Sequence, residues 1–388
     1  MYSRRRAKWY HILLIGMFFF VILMPGIDML VGIDRTPVAG TTAPFPEYRG
    51  GLRGLASLPG QFKWYFSDNF GFRPFFIQLH GLYKAHFWKA SGSSKVLLGK
   101  EGWLYYRDEQ TLDDYRNLYP FDEKSLGTWV DMLAARQRFC DARGIDYVFS
   151  ISPNKPGIYP EYLPDGWAPL GRPKRLDQLQ AAVARRLPSV RMVDVRPALL
   201  AARKDHLIYY ETDTHWNQLG AFVGYREIMA ALAQRYSDLD VPSLEDITIE
   251  TEPSDGGDLA RMMGLKFVTD EPLVTPVFPQ ARQVIREKDG TPLDVAVKDI
   301  LKGEEGLVTL CEEGEIESAV VIHDSFGQAL IPLLARHFKR ATFVWSNSFE
   351  PELVEKEKPA VVIQQLVERR LVYWEPEPEF EAPAKPTN

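Results

Sequence analysis

The sequence predicts an α/β protein with a mostly parallel sheet flanked by helices, preceded by an N-terminal membrane anchor. Three observations predict it. From about residue 122, helical stretches alternate with short, continuous apolar runs, the pattern of parallel strands buried on both faces. One run, Ala319-Val320-Val321-Ile322, leads through His323 into Asp324-Ser325-Phe326 and a helical pattern. Active residues of open α/β sheets collect at such strand-to-helix junctions. Finally, Arg4-Arg5-Arg6 and Lys8 precede an almost wholly apolar segment, Ile12 to Met24, which Met29 to Val31 extend past Pro25-Gly26-Ile27-Asp28. Basic residues held in the cytoplasm direct the chain beyond them across a membrane.

Taken in order, residues 1–35 read as a cytoplasmic stub and signal anchor. The uninterrupted apolar core is short for a spanning helix, so a cleaved signal peptide is the rival. Val38-Ala39-Gly40 is a poor and late cleavage site, which favours the uncleaved anchor and a body outside the cytoplasm. Residues 36–54 form a linker, and 55–374 one catalytic domain with an insertion at about 240–315. Residues from about 55 to 106 are aromatic-rich, and most of the aromatics in 62 to 106 read as core packing. Phe76, Leu79, Leu82, Tyr83 and His86 at helical spacing predict an amphipathic helix there. Gly99-Lys100-Glu101-Gly102 predicts a turn, and Trp103 to Tyr106 a short strand.

Ser125 to Arg143 is a predicted helix stopped by Gly144. Ile145–Ile151 and Val190–Val195 are predicted strands, with Leu176–Arg186 and Asn217–Tyr236 as helices. Ala319–Ile322, Ala341–Trp345 and Ala360–Gln364 complete the strands, and a Pro/Glu/Ala-rich tail from 375 to 388 reads as disordered.

Composition sets bounds. The 388 residues allow one large domain with additions, and 45% hydrophobic residues supply a core. A net charge of −6 argues against a general nucleic-acid binder. Cys140 and Cys311 lie far apart, and no small framework demands a disulfide. There is no P-loop lysine motif and no Rossmann glycine fingerprint, so no cofactor is expected.

Chemistry concentrates in two places, Asp213-Thr214-His215-Trp216 and His323-Asp324-Ser325-Phe326. A carboxylate two positions from an imidazole supplies an orienting group and a general base. A serine at a strand-to-helix turn supplies a nucleophile with helix N–H groups beside it, and together these are the parts of acyl transfer. The bland alternative is that Asp213 and Thr214 merely cap a helix, His215 is a satisfied surface imidazole, and Ser325 is only an N-cap. A metal cluster drawn from His206, Asp213, His215, His323 and Asp324 is weaker, because no close histidine pair exists, and no metal is expected.

At these residues the chain resembles the SGNH-like acyltransferases of the alginate O-acetyltransferase type, the AlgJ and AlgX group. The resemblance runs from about residue 60 to 372. It is carried by Asp68-Asn69-Phe70-Gly71-Phe72-Arg73, Leu98 to Leu104, Pro153-Asn154-Lys155 with Tyr159-Pro160, and Thr212 to Trp216. Gly257-Asp258-Leu259-Ala260, Asp324-Ser325-Phe326 and Glu368-Arg369 complete it.

The resemblance implies an SGNH-hydrolase-like fold with circularly permuted motif order, since the Asp/His pair precedes Ser325. It implies a catalytic Ser325, His215 and Asp213. The strand over 359–365 ordinarily ends in an oxyanion-hole asparagine; here Glu368-Arg369-Arg370-Leu371 follows, where members carry Glu-Arg-Tyr-Leu. The oxyanion role therefore passes to backbone N–H groups near Ser325, with Phe326, Gln365 and Arg370 as candidates. Trp216 is the candidate for stacking on a sugar.

The implied activity is transfer of an acetyl group through a Ser325 acyl-enzyme onto an exported polysaccharide, alginate or a similar exopolysaccharide. The implied setting is the periplasmic face of the inner membrane, where acetyl-CoA is absent. The implied partners are a multi-spanning membrane acyltransferase as donor, the polysaccharide acceptor and other export subunits. A carbohydrate acetyl-esterase and a non-catalytic polysaccharide-binding scaffold remain alternatives from other classes.

Overall fold

The computed structural model describes residues 2–37, 42–280, 282–293 and 306–376. The candidate cleavage site Val38-Ala39-Gly40 and the tail beyond residue 376 lie outside the described residues. The chain forms two compact units, one of residues 1–93 with 260–269, the other of residues 94–259 with 270–388. Residues 55–93 thus group with the N-terminal helix and not with the α/β unit.

The first unit is helical: α1 (Tyr2–Val31), α2 (Gly51–Asn69) and α3 (Arg73–Phe87). Helix α1 does not stop at Pro25 but continues through it, so an apolar stretch of 23 residues, Trp9–Val31, is long enough to cross a membrane. Gly32, at φ +66°, ends the helix, its N–H donating to the Asp28 carbonyl at 2.7 Å. The aromatic residues of α2 and α3 correct the expectation of core packing. Trp64, Phe66, Phe75, Phe76 and Trp88 are exposed, whereas Trp103 and Tyr105 of the second unit are buried.

The second unit opens with the hairpin β1 (Val96–Leu98) and β2 (Leu104–Tyr106), then α4 (Thr111–Tyr115) and α5 (Glu123–Asp141). Asp122 caps α5 by accepting from the Ser125 N–H, and Gly144 lies just past its end at φ +68°. Next come β3 (Asp146–Ser152), α6 (Lys155–Ile158), α7 (Arg175–Arg186), β4 (Arg191–Asp194), α8 (Arg196–Ala202) and α9 (Gln218–Ala233). The hairpin strands β5 (Thr248–Asp255) and β6 (Asp270–Val277) flank the short helix α10 (Asp258–Met262), which from Ala260 on belongs to the first unit, and β7 (Ile285–Arg286) and β8 (Gly306–Leu310) follow. The chain closes with β9 (Ile316–His323), α11 (Ile331–Ala335), β10 (Phe338–Trp345), α12 (Pro351–Glu357), β11 (Val361–Val367) and α13 (Arg370–Tyr373).

Seven strands make the main sheet in the order β4-β3-β11-β9-β10-β8-β7. The pairs from β4 to β10 are parallel, and β8 joins β10 antiparallel. The sheet is therefore mixed. Its antiparallel edge comes from the segment read from sequence as an insertion. Five residues such as those of β8 do not specify in their own pattern the distant strand they pair with. Strands β3 and β11 are buried along their whole length, each face meeting a separate apolar cluster. Cys140 and Cys311 are both buried and free.

Candidate active site

Ser325 begins a short 3₁₀ helix at the carboxyl end of β9, a central strand between β11 and β10. Asp324 builds the turn. Its Oδ1 accepts from the Phe326 N–H at 2.9 Å, and its Oδ2 accepts from the Val367 N–H at the end of β11. Gly327 is required here, since a Cβ would stand 2.3 Å from that of His323. His323 is buried beneath the turn, its Nδ1 2.7 Å from the Asp324 carbonyl, and burial pushes its pKa down. It packs and does not face solvent.

Asp213 and His215 precede α9, which Asn217 caps by accepting from the Gly220 N–H. The Asp213 Oδ1 lies 2.7 Å from His215 Nδ1, and its Oδ2 accepts from the Asp258 N–H at 2.9 Å. Among the described residues His215 Nε2 has no hydrogen-bond partner. The loop is held from several sides. Lys155, buried, donates to the carbonyls of Tyr210, Glu211 and Asp213 at 3.0, 2.9 and 2.7 Å. Asp258 accepts from the N–H and hydroxyl of Thr214, and Glu271 accepts from the Glu211 and Thr212 N–H groups.

The two motifs meet through their neighbours. Trp216 donates its indole N–H to the Phe326 carbonyl at 3.0 Å, and the His215 and Phe326 rings lie 4.9 Å apart. Among the described residues no hydrogen bond joins Ser325 to His215 directly.

Electrostatics suit a base. Burial alone would lift the Asp213 carboxyl. The His215 hydrogen bond and charge, with the Asp258 and His215 amides, hold it well below the usual carboxylate range. Burial would lower His215, but Asp213 and then Asp258 outweigh it and raise the imidazole. Burial and the nearby Asp213 charge lift Asp258 to about 6. Asp213, His215 and Asp258 have donor atoms within 4.8 Å of one another, a spacing a metal accepts. Yet Asp213 Oδ1 and His215 Nδ1 are bonded to each other, and both Asp258 oxygens serve Thr214. That is the arrangement of an oriented imidazole.

The other candidates divide. Phe326 N–H is committed to Asp324, and Gln365, buried under the turn, donates to Ser152 Oγ at 3.0 Å. Arg370 packs over the Tyr373 ring instead of the serine turn. Trp216 is buried, so it offers no face to a sugar; it is a strut, not a stacking platform.

Two residues given no role from sequence also lie at this end of the sheet. Arg369 sets its guanidinium 5.7 Å from the Phe326 ring centroid, held by Glu109 and Asn154. Trp345 is exposed at the end of β10, in register with His323. The Glu368-Arg369 motif was a signal for the first. Nothing in sequence marked the second.

A family model described as an SGNH hydrolase-like domain, acetyltransferase AlgX, matches residues 96–298, half of the chain. The chain belongs to this family. The matched span includes Asp213, His215 and Asp258 and ends before Ser325. Two curated relatives, each named "Probable alginate O-acetylase AlgJ", are similar over about half of the chain. That of Pseudomonas aeruginosa is 29% identical over 199 residues, covering 50% of this chain and 46% of the relative. That of Pseudomonas syringae pv. tomato is 31% identical over 196 residues, covering 49% and 45%. The chain thus spans less than half the length of the curated relatives it matches. Among solved structures, Bacillus cereus PatB1 with a sulfonyl adduct has a similar fold, with a TM-score of 0.52 and 15% identity. It covers 73% of this chain and 98% of its own.

Proposed function

We propose that the chain is a polysaccharide O-acetyltransferase working through an acetyl-Ser325 intermediate. The observation that carries this reading is the Asp213–His215 pair, whose imidazole lies 4.9 Å from the ring of Phe326, the residue after Ser325, and whose Nε2 has no partner among the described residues. His215 Nε2 takes the Ser325 proton as Oγ attacks the carbonyl of an acetyl donor. The tetrahedral intermediate collapses, the donor's leaving oxygen takes that proton, and acetyl remains on Ser325. A sugar hydroxyl then attacks the acyl carbon while His215 takes its proton, and Ser325 leaves as the alcohol, recovering the proton. Arg369 is the cation packed beside the turn that supports the developing oxyanion, and exposed Trp345 offers a sugar an apolar face.

The relatives' names point to alginate or a similar exopolysaccharide as acceptor. With α1 as an uncleaved anchor, the catalytic unit lies on the periplasmic side of the inner membrane. There the acetyl group must arrive through a multi-spanning membrane acyltransferase, alongside other export subunits, because acetyl-CoA is cytoplasmic.

The test is Ser325→Ala in the full chain, assayed with an activated acetyl ester with and without oligosaccharide. The variant should fold and lose transfer by about 10³-fold or more. Intact acetylation by the variant would make the protein a scaffold. Acetyl always lost to water, whatever the acceptor, would make it an esterase.

A further inference from the structure

The helical unit exposes many large apolar side chains. Helix α2 runs 19 residues and buries only Gly54. Leu52 is 85% exposed, Trp64 72% and Phe87 of α3 72%. Edge-to-face contacts join Phe75 with Phe76, and Tyr83 packs on Phe87, so the exposed rings group together. A helix with so little buried is marginal alone, and an apolar surface of this kind marks an interaction site.

Three observations identify what covers it. First, the turn between α2 and α3 is fixed to the end of the apolar helix α1. The Phe72 N–H donates to Asp28 at 2.9 Å, and a Cβ on Gly71 would lie 2.1 Å from the Pro25 carbonyl oxygen. Wherever α1 leaves a bilayer, α2 and α3 start. Second, the charge is one-sided: Arg53, Lys63, Arg73, Lys84 and Lys89 stand against Asp68 alone over residues 51–90. Third, a cleft of about 150 Å³ in the same unit is lined by Arg73, Arg261 and Lys266 together with Pro74, Ile77 and Phe267. Trp, Tyr and Phe mixed with Lys and Arg is the composition of helices lying in a membrane interface.

We propose that α2 and α3 lie in the interface of an anionic phospholipid bilayer where α1 emerges. Their aromatic side chains enter the acyl boundary, and Arg73, Arg261 and Lys266 face lipid phosphates. This rests on α1 being an anchor and is independent of the Ser325 chemistry. The docked helices tether the catalytic unit to the surface on which a membrane-embedded donor would present its acetyl group.

The test places a spin label at Phe19→Cys, Trp64→Cys or Phe87→Cys of the full chain. The buried Cys140 and Cys311 are left in place, and the protein is reconstituted in phosphatidylcholine with or without phosphatidylglycerol. With phosphatidylglycerol, labels at all three positions should collide more with oxygen than with a water-soluble nickel complex. The docked population at 64 and 87 should fall by about tenfold without it. A lipid-immersed label at 19 with labels at 64 and 87 in water would overturn the proposal. So would labels at 64 and 87 shielded from both reagents, which would mean that a protein surface covers these helices. A label at 19 in water would remove the anchor and the proposal with it. A docked population indifferent to phosphatidylglycerol would overturn the anionic assignment.

Discussion

Trp216 and Phe326 are joined by a 3.0 Å hydrogen bond from the indole N–H to the backbone carbonyl, linking the neighbour of His215 to the neighbour of Ser325. Both residues are buried, so the bond is shielded from water and sets how the two motif loops face each other. Trp216→Phe would leave that carbonyl without its donor at a cost of about 1–3 kcal/mol. We expect a lower midpoint in urea and a drop in acetyl transfer larger than lost stability explains. An unchanged turnover would show that the strut does not position the base.

The pH profile should carry the signature of the Asp213, His215 and Asp258 cluster. His215 must be neutral to accept a proton, and since Asp213 and Asp258 raise its pKa from the ordinary value, activity should fall as pH drops through that raised pKa. Asp258→Asn removes a negative charge that favours the imidazolium, so the acid limb of kcat/KM should move to lower pH. Because the charges of the three groups interact, the limb belongs to the cluster as a whole. A limb that stays in place in Asp258→Asn would exclude this coupling.

Gly257 bears on the same carboxylate by shape. A Cβ there would come within 2.4 Å of the Asp213 Cβ and 2.7 Å of Oδ2. Gly257→Ala should push Asp213 off His215 and reduce kcat by about 10²-fold or more, the scale of a misoriented base. Imidazole proton shifts by NMR would show the lost Nδ1 hydrogen bond. Wild-type shifts and rates together would contradict the packing.

Trp345→Ala separates acceptor binding from acyl-enzyme chemistry. Loss of an exposed aromatic face should raise the acceptor KM by about tenfold, the scale of ~1 kcal/mol or slightly more. Release of acetate from an activated ester without acceptor should be unaffected. Equal losses in both assays would place Trp345 in the catalytic machinery or the fold instead.

The parts of the candidate site were legible where they are local. Asp213 and His215 are two residues apart, and Ser325 comes after a short apolar run of the kind that interior strands carry. The supports were not legible in the same way. Lys155, Asp258 and Glu271 reach the 210–215 loop from other elements, and only the folded chain brings their donors and acceptors into range. Arg369 and Arg370 are adjacent in sequence, yet the turn after β11 sends the first over Phe326 and the second over Tyr373.

The sequence by itself determined the α/β class, the apolar N-terminal helix, and the candidate residues whose types suit acyl transfer. Periodicity, helix caps and a strand-to-turn serine are short-range properties that neighbouring residues dictate. Tertiary structure decided which aromatics are buried: Trp216 became an internal strut, while Trp64 and Trp345 stayed exposed. It also decided that β8 joins the main sheet. Burial depends on what other elements supply to cover a side chain, and strand pairing on a distant partner's register, so neither is written in the local pattern.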